Sequence, residues 1–205
     1  MTQSRPLPQD LLDQLDACVE AYLGREGPLK QSGHNGTYAS WKQKRGPILQ
    51  AVDADGDFLD VGCANGYLLE CLVEWGRAEK DVRLRPHGVD YGAGLIDLAR
   101  QRLPEFCDNL QVGNMWDWQP PQRYDYVCTG LSVPDDYRDE LFDRFVADFV
   151  KPGGRLILRR YYNRDEDKKT SFNLGHYLAQ RGYRPTGTIM LEGHDDVPLY
   201  AWIDP

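Results

Sequence analysis

Apolar positions in most of the chain alternate between short runs and longer segments with helical spacing. Phe58 to Val61 has the composition of a buried strand, and Tyr67 to Glu74 follows it with apolar residues on one helical face. The alternation is repeated by Arg85 to Val89, a predicted strand, and by Leu95 to Leu103, a predicted helix that Pro104 ends. This order of elements predicts βαβ units and a mostly parallel sheet.

Further strands are predicted along the middle of the chain. Leu110 to Val112 is a short third strand, and Tyr124 to Thr129 is a fourth. A helix is predicted over Leu141 to Val150, where apolar residues form one stripe. The turn Lys151-Pro-Gly-Gly154 ends that helix, and a fifth strand is predicted over Arg155 to Leu158.

The C-terminal part of the chain has a different pattern. A helix is predicted over Leu174 to Gln180, and two strand-like runs, Thr186 to Leu191 and Val197 to Ile203, flank a polar hairpin loop at 192–196. A terminal hairpin makes such a sheet mixed instead of purely parallel. We therefore predict an α/β fold that is Rossmann-like and doubly wound, with a mostly parallel seven-stranded sheet and an antiparallel C-terminal hairpin.

The first 55 residues carry two helical patterns. In the first pattern seven apolar residues share one face, and Asp10 is placed to cap the helix start. A glycine-rich polar stretch, 24–36, separates it from a second pattern over Thr37 to Val52, which Gly46-Pro47 divides. We expect a single domain in which residues 1–55 form a helical cap or lid on a core of residues 56–205. The seven apolar positions are Leu11, Leu12, Leu15, Cys18, Val19, Tyr22 and Leu23.

Composition and charge narrow the range of functions. The 205 residues are 41% hydrophobic, which suits one domain with a full core. A formal net charge of −8 disfavours nucleic acid as a partner, because the average surface repels phosphate. The N-terminal residues lack the apolar stretch of a signal peptide, and no apolar run approaches the ~20 residues of a membrane span. A cytoplasmic protein without membrane contact is predicted.

The five cysteines are spread along the chain without CxxC spacing, so free thiols are predicted. Cys63 lies in a glycine-rich turn, where a small space-filling side chain is favoured over a nucleophile because no histidine is adjacent in sequence. His194, Asp195 and Asp196 have the composition of metal ligands, but their hairpin favours a solvated turn. No metal site is predicted.

The candidate chemistry begins where the first predicted strand runs into Gly62 and Gly66. Glycines in a strand-turn-helix segment let the backbone approach a bound molecule closely, since no Cβ intervenes. The spacing Gly62-Cys-Ala-Asn-Gly66 differs from the GxGxxG of dinucleotide sites. Asp90 ends the second predicted strand, 28 positions after Gly62. Beside the first turn its carboxylate can accept hydrogen bonds from ribose hydroxyls, while a helix cap or a loop acid is the alternative interpretation of Asp90 taken alone.

Five short segments resemble those of a known family. They occur in the order and approximate spacing of class I S-adenosylmethionine-dependent methyltransferases, and the resemblance covers Phe58 to the C-terminus. The resemblance implies that S-adenosylmethionine is the cofactor and that the reaction is methyl transfer. The segments are Asp60-Val-Gly-Cys-Ala-Asn-Gly66, Gly88-Val-Asp90, Gly113-Asn-Met115, Tyr124-Asp-Tyr-Val127 and Lys151-Pro-Gly-Gly154.

In the first segment the resemblance implies that Gly62, Ala64 and Gly66 line the methionine and ribose parts of the cofactor, with Asp60 near its amino group. Cys63 lies in the same turn and is included among the predicted cofactor-binding residues. Ala64 stands where the commonest pattern has glycine. We expect its methyl group to be tolerated only if φ at Ala64 is negative.

In the later segments the resemblance implies that Asp90 holds the ribose hydroxyls and Tyr91 packs on the adenine. Asn114 stands where the family commonly has an aspartate at the adenine amino group, and its side-chain oxygen still accepts a hydrogen bond. Met115 is expected beside the adenine ring. Thr129 and Leu131 are expected near the methionine end.

The methyl acceptor is predicted to be a small molecule that is methylated on O or N. The Asn/Asp-Pro-Pro-Tyr motif of amino-directed DNA methyltransferases and a Pro-Cys pair are both absent. The stretch 31–41 is the predicted lid, and its His34 and Tyr38 are the candidate catalytic residues. An exposed loop histidine and a buried helical face are the alternative interpretations. Tyr161 and Tyr162, after the fifth strand, are further candidates for an acceptor pocket.

Two other functions fit parts of the pattern. A nicotinamide-dependent oxidoreductase would use the same strand, turn and acid, but it predicts GxGxxG, which this chain lacks. A methyltransferase-like domain that binds the cofactor or a partner protein without turnover is the second alternative, because fold does not fix function. The oligomeric state is not predicted.

Overall fold

The strands of the structure follow the apolar runs of the sequence. The computed structural model describes residues 7–131, 133–160, 172–191 and 194–205. Its strands are β1 (Gly56–Val61), β2 (Leu84–Asp90), β3 (Leu110–Val112), β4 (Tyr124–Gly130), β5 (Val150–Arg159), β6 (Gly187–Leu191) and β7 (His194–Ile203). Its α-helices are α1 (Gln9–Leu23), α2 (Pro28–Gln31), α3 (Tyr38–Arg45), α4 (Tyr67–Lys80), α5 (Ala93–Arg102), α6 (Asp135–Arg144) and α7 (Leu174–Gln180).

The strand order is β3-β2-β1-β4-β5-β7-β6. The pairs β1 with β2, β2 with β3, and β4 with β5 are parallel, whereas β7 runs antiparallel to both β5 and β6. The predicted Rossmann-like α/β fold, with its mostly parallel seven-stranded sheet and antiparallel C-terminal hairpin, is confirmed. The chain divides into two compact units, Met1–Leu49 with Ala54–Gln119 and Gln50–Asp53 with Pro120–Pro205.

In the first unit β1 and β2 end side by side. Gly56 is opposite Leu84 at one end of the pair, and Val61 is opposite Val89 at the other. Every residue of β1 after Gly56 is buried, which agrees with a strand covered on both faces. The buried side of α4 repeats at helical spacing, as its amphipathic sequence predicts. Its buried residues are Leu68, Leu69, Cys71, Leu72, Trp75 and Gly76.

In the second unit β5 starts earlier than predicted and contains an irregularity. Tyr124 pairs with Val150 but Tyr126 pairs with Arg155, so the intervening part of β5 bulges out of register. The predicted turn 151–154 thus lies inside the strand, with Gly153 at a φ of +76°. Glycine supplies this left-handed conformation at little steric cost, which allows the bulge.

Two further boundaries of the second unit were predicted wrongly. The helix predicted over 141–150 begins at Asp135 as α6, and it passes into a π-helical turn at Phe145–Phe149 before β5 begins. The predicted hairpin loop 192–196 is shorter, because β7 already begins at His194 and pairs there with Leu191. In both cases backbone hydrogen bonding continues into polar positions that the hydrophobic pattern does not include.

The N-terminal helices agree with the sequence except at the start of α1. Pro8 occupies the position before the helix and no side chain caps it, so the predicted capping by Asp10 was wrong. Asp10 lies in the first turn, where its charge still favours the positive end of the helix dipole. The second helical pattern is divided as predicted, since α3 ends at Arg45 and a 3₁₀-helix covers Gly46–Ala51. Another 3₁₀-helix, Pro104–Asn109, follows α5.

All five cysteines are free thiols, as predicted. Among the described residues no group of three or more His, Cys, Asp or Glu side chains is arranged to hold a metal ion. The side chains of His194, Asp195 and Asp196 lie outside that description. None of the helices that the structure describes has both the length and the apolar character required to cross a bilayer.

Candidate functional site

The turn between β1 and α4 contains three residues in the left-handed region. The φ angle is +79° at Gly62, +47° at Ala64 and +71° at Gly66. The N–H groups of Gly62 and Cys63 both donate to the carbonyl of Val89, at 2.8 and 3.2 Å. These bonds hold the turn against the end of β2, at the carboxyl edge of the strands where open α/β sheets bind ligands.

Ala64 contradicts the expectation of a negative φ. Its φ of +47° is a conformation that costs an L-residue about 1 to 2 kcal/mol. The strain is offset by a hydrogen bond, because the N–H of Ala64 donates to Oδ2 of Asp90 at 2.8 Å. The acid therefore stabilises the turn in a shape that the sequence pattern alone does not specify. Strained backbone of this kind concentrates at binding sites.

Glycine is required at two positions next to the turn. A Cβ on Gly66 would lie 2.9 Å from the Cβ of Ala99 in α5, in addition to the strain of its positive φ. A Cβ on Gly88 in β2 would lie 2.7 Å from Sγ of Cys63. Cys63 is 3% exposed, and its thiol occupies the space that Gly88 leaves. This contact agrees with the space-filling interpretation of Cys63.

Asp90 connects three loops at this edge of the sheet. Its Oδ2 accepts from Ala64 N–H at 2.8 Å, and its Oδ1 accepts from Gly92 N–H at 2.9 Å. Its backbone carbonyl accepts from Gly113 N–H at 2.9 Å. The loops after β1 and β2 therefore meet at one half-buried carboxylate, and the loop after β3 is bonded to the backbone of the same residue. A carboxylate has about four acceptor sites, so it is suited to bind hydroxyl groups as well as backbone N–H groups.

The loop after β3 is folded around Asn114. The side-chain oxygen of Asn114 accepts from Trp116 N–H at 3.0 Å, and its carbonyl accepts from Trp118 N–H at 2.8 Å. A Cβ on Gly113 would lie 2.5 Å from Cδ1 of Trp118, so this tight loop needs glycine there. Asn114 and the adjacent Met115 are both half buried.

Tyr91 connects the loop after β2 to helix α1. Its hydroxyl is hydrogen-bonded to Asp16, and this bond raises the pKa of the Tyr91 phenol above its usual value. A Cβ on the next residue, Gly92, would lie 2.8 Å from Cγ2 of Val19. Helix α1 thus packs directly on the loop that carries Asp90.

The fold recurs in known proteins. No protein-family model matches the sequence. A 96-residue stretch, 44% of the chain, is 29% identical to malonyl-[acyl-carrier protein] O-methyltransferase of Acetivibrio thermocellus. The match covers 32% of that relative, so the chain aligns with about a third of its length.

Two solved structures extend the comparison. A DhpI-SAM-HEP complex matches with a TM-score of 0.53 and 19% identity, over 98% of this chain and 83% of that one. Phosphoethanolamine N-methyltransferase 1 of Haemonchus contortus, in complex with phosphoethanolamine and S-adenosylhomocysteine, matches with a TM-score of 0.56 and 17% identity, over 72% of this chain and 32% of that one. At these identities the likeness shows the fold, so the chain shares its fold with a protein bound to S-adenosylmethionine and with a methyltransferase bound to S-adenosylhomocysteine.

The predicted cofactor-binding residues belong to both units, and each set is described within its own unit. Asp60, the turn 62–66 and Asp90 lie in the first unit, where Asp60 is 1% exposed at the end of β1. Thr129 and Leu131 lie in the second unit, at the carboxyl end of β4, and are 0% and 2% exposed. Tyr161 and Tyr162, the further acceptor candidates, lie outside the described residues.

His34 is half buried beside Ser40 and Trp41. Its Nε2 lies 2.7 Å from Oγ of Ser40, and its ring centroid is 5.5 Å from that of Trp41. Burial lowers the pKa of His34 from the usual 6.5, and the nearby charges of Lys44 and Arg45 lower it further. A neutral imidazole at physiological pH has an available acceptor nitrogen. The lowered pKa favours the neutral form, which is the form that a general base needs.

The side chain of Tyr38 contacts a different part of the fold from the side chain of His34. Its side chain is exposed, and its hydroxyl accepts a hydrogen bond from Nε1 of Trp75 at 3.0 Å. Trp75 is eight residues beyond Tyr67, the first residue of α4, which corresponds to about 12 Å along the helix axis. The structure therefore places the Tyr38 hydroxyl beside the middle of α4 and not beside its first turn.

Asn65 is a residue whose connections sequence reasoning missed. It is 0% exposed, and its Nδ2 donates to the carbonyl of Pro28 at 2.9 Å. Its Oδ1 accepts from Tyr67 N–H at 3.3 Å, and its carbonyl accepts from Nε of Arg102 at 3.2 Å. No local signal identifies the bond to Pro28, because the two residues are 37 positions apart.

Proposed function

We propose that this chain binds S-adenosylmethionine at the turn 62–66 and transfers the methyl group to a small-molecule acceptor. The observation that supports the proposal most strongly is the position of Asp90. Its carboxylate ends β2 and is held by backbone N–H groups of the loops on both sides, at 2.8 and 2.9 Å. An acid at this place in an α/β sheet is suited to hold ribose hydroxyls.

The residues around Asp90 fit the other parts of S-adenosylmethionine. Gly62 and Gly66 have no side chains, so the methionine and ribose parts can approach the backbone closely. The carboxylate of Asp60 is assigned to the amino group, since opposite charges attract strongly in a buried site. Asn114 and Met115 are assigned to the adenine, together with the ring of Tyr91.

The proposed mechanism requires few catalytic groups from the protein. Bound S-adenosylmethionine supplies an electrophilic methyl group on its sulfonium sulfur. The chain's part is to hold the acceptor atom in line with that methyl group and to exclude water. His34 is the proposed general base, which takes the proton that an O–H or N–H acceptor loses. Its contact with Ser40 at 2.7 Å restrains the imidazole.

Charge and comparison both support a small acceptor. The net charge of −8 disfavours nucleic acid. One solved structure of the same fold contains phosphoethanolamine, a small molecule. One relative is named for O-methylation of a malonyl group that a carrier protein holds, so in that protein the methylated group is small although its carrier is not. The proposal includes a cytoplasmic location, which is supported by five cysteines that are all free thiols.

Calorimetric titration tests the cofactor part of the proposal. We expect S-adenosylmethionine and S-adenosylhomocysteine to bind with a stoichiometry of one, and NAD to give no binding heat. Tight binding of NAD without any response to the two sulfur nucleosides would contradict the proposal. Binding of the sulfur nucleosides without methyl transfer to any acceptor would instead support the non-catalytic alternative.

A further inference from the structure

The segment Pro28–Trp41 contacts the turn 62–66, the proposed cofactor turn. Their contacts form a closed loop of interactions, the circuit, which starts and ends at Asn65. The circuit starts at Asn65, whose amide donates to the carbonyl of Pro28 at 2.9 Å. Pro28 begins the short helix α2, and the next carbonyl, that of Leu29, accepts from the backbone N–H of His34 at 3.1 Å. The side chain of Asn65 is thus connected, through one turn of backbone, to the proposed base.

The circuit returns to Asn65 through aromatic rings. The ring of His34 lies 5.5 Å from Trp41, and Trp41 stacks on Tyr67 with a centroid distance of 5.5 Å and an interplanar angle of 28°. Tyr67 is the first residue of α4, and its N–H donates to Oδ1 of Asn65 at 3.3 Å. One side chain therefore contacts both ends of the circuit.

The burial of Asn65 makes these contacts difficult to replace. Asn65 is 0% exposed, and Trp41 is 2% exposed. A buried amide that loses its partner pays the full cost of its desolvation, because water cannot take the partner's place. The backbone carbonyl of Asn65 is held independently by Nε of Arg102, at 3.2 Å. The position of the turn and the position of Pro28 are therefore linked through this side chain.

We infer that Asn65 is a positioning residue, which links occupancy of the cofactor turn to the placement of the segment Pro28–Trp41 and of His34. The inference rests on the proposed function, since it takes the turn as the cofactor site and His34 as the base. A ligand that orders residues 62–66 fixes the Asn65 amide, and the amide fixes the carbonyl of Pro28. Binding at the turn then orders the segment that carries His34 without requiring contact between the ligand and that segment.

Amide hydrogen exchange with S-adenosylhomocysteine as the probe tests this link. In the wild type we expect the ligand to slow exchange across residues 28–41. In Asn65→Asp we expect the ligand still to bind but this added protection to fall by about two- to tenfold, the factor for one lost hydrogen bond. The aspartate keeps the acceptor for Tyr67 N–H, but it replaces the donor to Pro28 with a second oxygen and brings a negative charge to a buried position. Asn65→Ser, which adds no charge, is therefore measured beside it.

Asn109→Asp is the matched control. The Nδ2 of Asn109 donates to the carbonyl of Pro86 at 3.1 Å, so the substitution removes the same kind of bond outside the circuit. We expect this variant to keep the wild-type protection of residues 28–41. If Asn65→Asp does not fold, Asn65→Ser supplies a smaller polar side chain too short to reach Pro28 and is expected to show the same loss.

The titration of His34 supplies a readout that general destabilisation does not change. Burial and the charges of Lys44 and Arg45 hold the pKa of His34 below 6.5. When the segment loosens in Asn65→Asp and in the uncharged Asn65→Ser, the pKa of His34, followed by nuclear magnetic resonance, should rise toward 6.5, whereas it should not change in Asn109→Asp. A His34→Gln variant assigns the resonance.

The outcomes separate the inference from the proposed function. Failure of the wild type to bind S-adenosylhomocysteine would overturn both. Binding in the wild type and in Asn65→Asp, with equal protection of residues 28–41 and an unchanged His34 titration, would overturn the inference and leave the proposed function in place. Loss of protection and a raised His34 pKa in Asn65→Asp, with neither change in Asn109→Asp, would support it.

Discussion

The turn 62–66 and the segment 28–41 belong to the same unit but are stabilised by different kinds of interaction. The turn is held by its own backbone, through N–H groups that bond to Val89 and Asp90 and through three left-handed φ angles. The segment is held mainly by side chains, through the amide of Asn65 and the ring of Trp41. A backbone held at positive φ angles tolerates few substitutions, whereas side-chain rings can shift after a substitution and keep most of their contacts. The two regions should therefore respond differently to mutation.

The largest effect is expected for Gly66→Ala in the turn. The left-handed φ costs alanine about 1 to 2 kcal/mol, and the overlap with Ala99 adds about 1 to 3 kcal/mol of overpacking. Urea unfolding measures the loss of stability. Gly182→Ala is the control, since Gly182 also has a positive φ, +80°, but no atom lies within 4 Å of its added Cβ. Equal losses in the two variants would show that packing against α5 does not restrict the turn.

The next effect is expected for Asp90→Ala, measured as affinity for S-adenosylhomocysteine. Loss of a charged hydrogen-bond acceptor should weaken binding by about 1 to 3 kcal/mol. Asp97→Ala is the control, because Asp97 is an exposed carboxylate on α5 that pairs with Arg100 at 3.5 Å. An unchanged affinity in Asp90→Ala would mean that the ribose site lies elsewhere.

A smaller effect of opposite sign is expected for Ala64→Gly. Glycine relieves the strain of the positive φ but loses more backbone entropy on folding, so a net gain of up to about 1 kcal/mol remains. Thermal unfolding measures the change. A lower midpoint than the wild type would show that the 8% exposed methyl group of Ala64 contributes packing that outweighs the strain.

The smallest effect is expected for Tyr38→Phe in the segment. The variant removes the acceptor for Nε1 of Trp75 and should lower the stability by about 0.5 to 1 kcal/mol, since Tyr38 is exposed and water can approach. Affinity for S-adenosylhomocysteine should stay the same. A large loss of affinity would indicate that Tyr38 contributes to the cofactor site. The turn and the segment would then not differ in their effect on binding.

The sequence predicted the turn because its signals are local. Gly62 and Gly66 follow a buried strand, and Asp90 ends the next one, so the spacing alone brings them to one edge of the sheet. The φ of Ala64 was predicted wrongly, because it depends on a hydrogen bond to Asp90, 26 positions away. The residue types around Ala64 do not indicate a hydrogen bond to a residue so far along the chain.

The segment 28–41 was predicted only in outline. The glycines and aromatic residues of 31–41 indicated a lid, but the stacking of Trp41 on Tyr67 and the bond from Asn65 to Pro28 join distant parts of the chain. The predicted pairing of His34 with Tyr38 as catalytic residues stays a prediction. Their side chains contact different partners, Ser40 and Trp75, which their spacing of four positions in the sequence does not reveal.

Methyl transfer itself is the most direct test of the central proposal. The wild type and Asp90→Ala would be incubated with S-adenosylmethionine labelled in its methyl group and with the low-molecular-mass fraction of a cell extract. We expect label to appear in a new small molecule with the wild type and to fall strongly with Asp90→Ala. No labelled small molecule, or label found only in protein or nucleic acid when the complete extract is used, would contradict the account.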